Sequence, residues 1–74
     1  VLREGGFNIK INLHDHEPMH VHVWHQGREA IINFEKTVEI RKNYGLGRNE
    51  LRQALIIIRE HRLFLQKRWR EIYG

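Results

Sequence analysis

The sequence predicts a single α+β domain, with a three- or four-stranded, mainly antiparallel sheet and one long C-terminal helix packed on one face. Two periodicities support this prediction. Apolar and polar residues alternate through much of the first half of the chain, and from Arg48 onward apolar residues recur at helical steps. A length of 74 residues leaves room for one domain only, so one unit is expected over residues 1–74.

The first predicted strand covers residues 7–13. Its apolar and polar side chains fall on opposite sides: Phe7, Ile9, Ile11 and Leu13 against Asn8, Lys10 and Asn12. The next segment, residues 14–19, is polar and contains the only proline of the chain. Pro18 fixes its own φ angle and disfavours helix at Glu17, which predicts a shaped turn.

Three further strands are predicted after this turn. Residues 20–25 place Val21 and Val23 on one side and His20, His22 and Trp24 on the other. Gln26 and Gly27 predict a hairpin turn into a strand over residues 29–34. A short fourth strand over residues 37–40 is a further candidate.

The C-terminal helix is predicted over residues 48–73. Gly47 and Glu50 have the spacing of a capping box, although glycine lacks the usual hydroxyl. The apolar stripe consists of Leu51, Leu55, Ile58, Leu65, Trp69 and Ile72. Such a helix would be about 39 Å long, against about 20 Å for a six-residue strand. Part of the stripe would overhang the sheet, which favours a homodimer.

The net charge of +4 is concentrated on this helical segment. Residues 48–73 contain seven lysines and arginines against three acids, whereas the two signs cancel in residues 1–47. On a helical wheel Arg52, Arg59 and Arg70 form one row, which is typical of a phosphate-binding strip. A solvated outer helix face is the alternative interpretation.

The absence of cysteine suits a reducing compartment, so a cytoplasmic protein is expected. The first residues lack the charged-then-apolar pattern of a signal peptide, so none is expected. The longest apolar run, residues 54–58, is far shorter than the roughly 20 residues of a membrane span, so no membrane association is expected.

The histidine-rich segment between His14 and His25 contains the most concentrated chemistry. His20 and His22 lie two residues apart on one strand face, about 7 Å apart between their Cα atoms, and two imidazoles at that spacing can bind one ion. His16 or Asp15 in the preceding turn would supply a third ligand. This donor set suits zinc, nickel, iron or copper. Polar strand residues without a ligand, or an aromatic dimer surface, are the alternatives.

The same imidazoles suit proton transfer without a metal. Histidine titrates near pH 6.5, so one neutral and one protonated ring can act as general base and acid. His16, His20 and His22 are therefore also the catalytic candidates of a hydrolase or nuclease. Lys10, on the polar side of the first strand, would stabilise developing negative charge.

The string from His14 to Val23 resembles the signature of a bacterial family of small proteins, the domain of unknown function 4160. That family carries the pattern Asn-Asp-His-x-Pro-Pro-His-x-His after a first strand. The matching positions are Asp15, His16, Pro18, His20 and His22. His14 and Met19 depart from the pattern, so His14, like His25 beyond it, is a weaker site candidate. The likeness extends over nearly the whole chain.

The resemblance implies little about activity. Members are small bacterial or phage proteins without an assigned reaction, often encoded beside another small protein in pairs that resemble toxin–antitoxin modules. The leading hypothesis is therefore a non-enzymatic binding or regulatory module in such a pair, with a histidine-rich surface that binds a protein partner or a metal. An enzyme that uses the histidines and a nucleic-acid-binding domain that uses the basic helix are the other two hypotheses.

Overall fold

A computed structural model describes residues 2–11 and 18–73 of the chain. Within these residues the order of elements is β1 (Leu2–Glu4), β2 (Phe7–Lys10), β3 (His20–His25), β4 (Arg28–Asn33), β5 (Glu39–Tyr44), α1 (Arg48–Glu60) and α2 (Arg62–Tyr73). Each strand pairs antiparallel with the next one along the chain, so the sheet order is β1-β2-β3-β4-β5. The α+β class and the antiparallel sheet are confirmed, whereas the prediction of three or four strands is wrong.

The number of strands was underestimated because of the two edge strands, β1 and β5. β1 precedes the tight turn at Gly5 and Gly6, whose φ angles of 58° and 82° suit glycine. β5 extends to Tyr44, beyond the predicted fourth strand over residues 37–40. All six β5 residues are exposed, so no alternation of buried and exposed residues identifies the strand in the sequence.

The hydrophobic core lies on one face of the sheet. Val21, Val23 and Ile32 from the central strands are fully buried there. The helices contribute Ala54, Ile57, Ile58, Leu65 and Trp69. Because Val21 pairs with Ile32 across β3 and β4, the register brings the apolar residues of both strands to this face.

The prediction of one long helix is wrong, because the helix breaks at His61. The backbone there has φ −107° and ψ 16°, and α2 begins at the next residue. The His61 side chain lies 2.9 Å from Glu4 Oε1 in β1. A straight helix of about 39 Å would exceed 33 Å, the longest dimension of the described Cα trace. The break removes the overhang that favoured a homodimer, which stays an untested prediction.

Two side chains of α2 attach this helix to the end of β4. Arg62 donates to the carbonyl oxygens of Phe34, Glu35 and Lys36 at 3.0, 2.6 and 2.9 Å. Gln66 donates to the Glu35 oxygen at 3.1 Å. Arg62 therefore binds the connection after β4 and so holds α2 against this end of the sheet.

Glu50 connects the start of α1 with the β3–β4 hairpin. Its Oε1 accepts the backbone N–H of Gly47 at 2.9 Å, which is the glutamate half of the predicted capping box. Its Oε2 accepts from Arg28 at 2.8 Å and from His25 Nδ1 at 2.5 Å. His25 also stacks on Phe7, with ring centroids 4.4 Å apart. His25 therefore contacts both α1 and β2, which indicates a structural role for this histidine.

The Glu50 contacts predict a pH dependence of stability. The Gly47 N–H, followed by His25 and Arg28, lowers the pKa of Glu50 against an opposing effect of burial. A lowered folded-state pKa stabilises the fold above the ordinary value of about 4.3, and this stabilisation is lost as pH falls through the folded pKa. We expect Glu50→Gln to melt below wild type near pH 6, and the gap to narrow as the pH falls below the ordinary carboxyl pKa of about 4.3. Thermal unfolding monitored by circular dichroism over this pH range measures the difference in melting midpoint between the variant and wild type.

The exposed Glu71 supplies the control for this experiment. It pairs only with Arg68 at the surface, 2.9 Å away, within the described residues. Glu71→Gln should change the melting midpoint little, because exposed ion pairs contribute little to stability. A pH-independent gap for Glu50→Gln would contradict the role assigned to the Glu50 carboxylate.

Among the described residues, neither helix is long and apolar enough to cross a membrane.

Candidate functional site

The sheet face that points away from the core, called the outer face here, has two rows of side chains that cross the strands. One row, the lysine row, consists of Lys10, His22, Ile31 and Lys42, which are successive partners in the strand register. The other, the aromatic row, consists of Asn8, Trp24, Glu29 and Tyr44. Alternation along β3 sends Val21 and Val23 to the core, and so places His22 and Trp24 on the outer face.

His20 and His22 lie on this face as neighbours. Their ring centroids are 5.5 Å apart at an interplanar angle of 62°. His20 Nδ1 donates to the Pro18 carbonyl oxygen, and His22 Nδ1 lies against Glu29 Oε2, both at 2.8 Å. A carbonyl oxygen and a carboxylate both accept hydrogen bonds, so each contact keeps a proton on Nδ1. The orientation of both rings is therefore held by their neighbours.

The His20 ring is buried at the end of the sheet, with 5% of the residue exposed. The Trp69 ring of α2 lies 5.6 Å from it. Arg41 NH1 is 3.2 Å from His20 Nδ1. Because Nδ1 already donates to Pro18, this contact brings two donors together, and the guanidinium adds positive charge beside the histidine. Such a corner attracts an anion.

Only part of the predicted histidine site falls within the described residues. His20 and His22 are brought together, whereas His14, Asp15 and His16 lie outside the described residues. The proposed role of His16, His20, His22 and Asp15 as metal ligands stays a prediction, and so does the catalytic role of the histidines.

A second group of ligand atoms was missed by sequence reasoning. Glu4, Glu60 and His61 place one ligand atom each within 4.8 Å of one another. Both acids are exposed, and His61 already pairs with Glu4. Glu4 and His61 are 57 positions apart in the sequence, which explains why no local spacing indicated this contact.

The basic row predicted on the helix is divided by the break at His61. Arg52 and Arg59 lie on α1, and Arg70 lies on α2. All three side chains are exposed. Their role in nucleic-acid binding stays a prediction, with the row now spread over two helix axes.

The outer face also contains cations and aromatic rings that sequence reasoning did not bring together. Trp24 is 38% exposed and Tyr44 is 54% exposed. The two residues lie on either side of Glu29, and two strand spacings, or about 10 Å, separate them. Lys10 and Lys42 end the neighbouring row, and Arg41 lies beside it. Lys42 and Tyr44 were not assigned to the outer face because the predicted fourth strand ended at residue 40, whereas β5 extends to Tyr44. The outer face thus combines exposed rings with positive charge.

Asn33 adds a hydrogen-bond acceptor next to the histidines. It is the cross-strand partner of His20, and its buried Oδ1 has no hydrogen-bond partner among the described residues. The residue also lines an open cavity of about 340 Å³ together with Pro18 and Glu39. A buried acceptor without a donor is costly to the fold.

Comparison with known proteins gave one finding. A family model described as a domain of unknown function (DUF4160) matches residues 6–70. The match covers all strands except β1, and reaches into the last turn of α2. Neither the comparison with curated proteins nor the comparison with solved structures gave a match.

Proposed function

This chain belongs to the family described as a domain of unknown function (DUF4160), and we propose that it binds single-stranded RNA on the outer face of its sheet. The observation that carries the proposal is the pairing of two rows on that face. The aromatic row presents Trp24 and Tyr44, and the lysine row beside it ends in Lys10 and Lys42. Bases stack on exposed rings of a sheet, while phosphates contact neighbouring cations.

The charge balance of the outer face supports this function. Arg3, Lys10, Arg41 and Lys42 supply four positive charges, and Glu29 and Glu39 supply two negative ones. Glu29 is also engaged with His22, and Glu39 accepts a hydrogen bond from Thr37 at 2.6 Å. The face therefore keeps a net positive charge for a phosphate backbone.

The shape of the site favours a single strand over a duplex. Exposed rings on a sheet can reach only bases that are not already paired and stacked within a helix. A double helix lying on the same surface would leave these rings unused.

Binding of a fluorescent oligouridine, followed by anisotropy, tests the proposal. We expect saturable binding that weakens steeply with salt, with a slope of about −2 to −3 in log K against log salt for three to four phosphate contacts. The same sequence presented in a duplex should bind at least tenfold more weakly. Weak binding that does not respond to salt would remove the proposal.

A second part of the proposal concerns a protein partner. The family resemblance suggests that the chain is one half of a toxin–antitoxin-like pair with a small co-encoded protein. Co-expression with the product of the neighbouring gene, followed by sedimentation analysis, tests this. A stoichiometric heterocomplex supports it; a homodimer or monomer that ignores the neighbour contradicts it.

A second candidate function is hydrolysis at a divalent metal held by His20 and His22, with His16 and Asp15 as further ligands. The anchoring of both Nδ1 atoms favours it, because metal-binding histidines usually donate their other N–H to a carbonyl or carboxylate. The donor set suits zinc, nickel or iron, which would supply an activated water.

Elemental analysis of untagged protein separates the two candidates. Stoichiometric metal that is lost in His22→Ala and kept in His61→Ala supports the histidine site. Metal lost only in His61→Ala would belong instead to the group with Glu4 and Glu60. Protein without metal, after growth in zinc, nickel or iron, would contradict this second candidate.

A further inference from the structure

The helix side of β5 carries an apolar groove that neither the core nor the outer face uses. The groove runs between β5 and α1 and has a volume of about 490 Å³. Its apolar lining residues are Ile40, Leu46, Leu51 and Leu55, with Arg48 and Arg52 as the charged ones. Ile40 is 43% exposed, although its partner Ile32 is fully buried. The core thus ends one strand before the sheet does.

The strand beside this groove is an edge of the sheet. β5 is the last strand in the sheet order, and every one of its residues is exposed. The backbone groups on the outer side of an edge strand are unpaired and can pair with an added strand. An added strand next to β5 would place alternate side chains over Ile40 and against Leu51 and Leu55 of α1.

The charges of the groove indicate which strand would fit. Neither Arg48 nor Arg52 has an ion pair within the described parts of the chain, and no acidic residue lines the groove. A second copy of this chain fits poorly, because antiparallel pairing of two β5 strands would bring the Arg41 and Lys42 pairs close together.

We propose that this groove and the β5 edge bind an extended, acidic segment of a partner protein by strand addition. Its apolar side chains at every second position fill the groove, and its carboxylates pair with Arg48 and Arg52. Backbone hydrogen bonds to β5 supply sequence-independent affinity, and the groove selects the side chains. The side chains that line the groove are not those of the lysine and aromatic rows, so the proposal does not depend on RNA binding.

Selection from a displayed library of random twelve-residue peptides tests the proposal on the intact protein. We expect the selected peptides to alternate apolar residues and to be enriched in aspartate and glutamate. A synthetic peptide of the selected sequence should lose at least tenfold in affinity with Ile40→Lys, and as much with the double variant Arg48→Glu/Arg52→Glu. The exposed Lys67 on α2 provides the control, and Lys67→Glu should bind within twofold of wild type.

Three outcomes would overturn the proposal. The first is a selection that enriches no sequence, or only sequences without acidic residues. The second is a peptide that binds both groove variants like wild type, provided that circular dichroism shows the variants folded. The third is a homodimer that Ile40→Lys dissociates, because the occupant of the groove would then be a second copy of the chain.

Discussion

Replacing Lys10 and Lys42 together with glutamate is expected to weaken the binding of single-stranded RNA about a hundredfold, or about 2.7 kcal/mol. Both lysines lie in one cross-strand row, three strand spacings or about 14 Å apart, with His22 between them. Each reversal removes one phosphate contact and adds one repulsion. The affinity and its salt dependence should therefore fall together.

The control for this prediction has the same change in net charge at another place. Lys67→Glu/Arg68→Glu alters two exposed residues of α2. Fluorescence anisotropy with the same oligouridine compares both double variants with wild type over a range of salt. Equal losses in the two double variants would mean that only net charge attracts RNA, and the outer face would lose its assigned role.

Arg62→Ala is expected to have the largest effect on stability among the surface substitutions considered. Its guanidinium group donates hydrogen bonds to three consecutive carbonyl oxygens after β4. Two of these hydrogen bonds are partly buried. Hydrogen bonds from charged groups contribute up to about 1.5–3 kcal/mol each, and solvent exposure of these contacts reduces that contribution, so the total loss should be about 2–4 kcal/mol. A domain of this size has a free energy of unfolding of roughly 5 kcal/mol. The melting midpoint should fall by roughly 10–30 °C.

Two further variants make this prediction specific. Arg62→Lys keeps the charge but cannot reproduce the fork of donors, so its midpoint should lie between wild type and Arg62→Ala. Arg59→Ala removes an exposed arginine with no hydrogen bond within the described residues, and its free energy of unfolding should change by less than about 0.5 kcal/mol. An Arg62→Ala protein as stable as Arg59→Ala would show that the three hydrogen bonds contribute nothing.

The central strands could be predicted from sequence because their burial differs between the two faces. Val21 and Val23 are fully buried, while Trp24 on the other face is exposed. This contrast produces the alternation that predicts a strand, and it also placed His20 and His22 on one face. The pairing of the two rings at 5.5 Å follows from that alternation.

β5 and the helix break could not be predicted, because both depend on tertiary contacts. β5 has no buried residue, and its sequence lacks an apolar period. Because most of this strand was not predicted, Lys42 and Tyr44 were not assigned to the site. No glycine or proline marks the break at His61. His61 instead contacts Glu4, at the other end of the chain.

The predicted apolar stripe identified part of the helix surface that faces the core. Its members Ile58, Leu65 and Trp69 are buried there, whereas Leu51 and Leu55 are not. Ile57 is buried, while both leucines are only half-buried and line the groove beside β5. The apolar period indicates that a helix is amphipathic, but the direction in which it faces depends on the shape of the sheet beneath it.

The most direct test of RNA binding at the outer face is a titration of ¹⁵N-labelled protein with oligouridine, followed by amide and side-chain NMR shifts. The RNA should shift the signals of the lysine row and the aromatic row, with the indole N–H of Trp24 among the largest changes. Shifts confined to the surface around Arg52 and Arg59, or no shifts at all, would contradict RNA binding at this face.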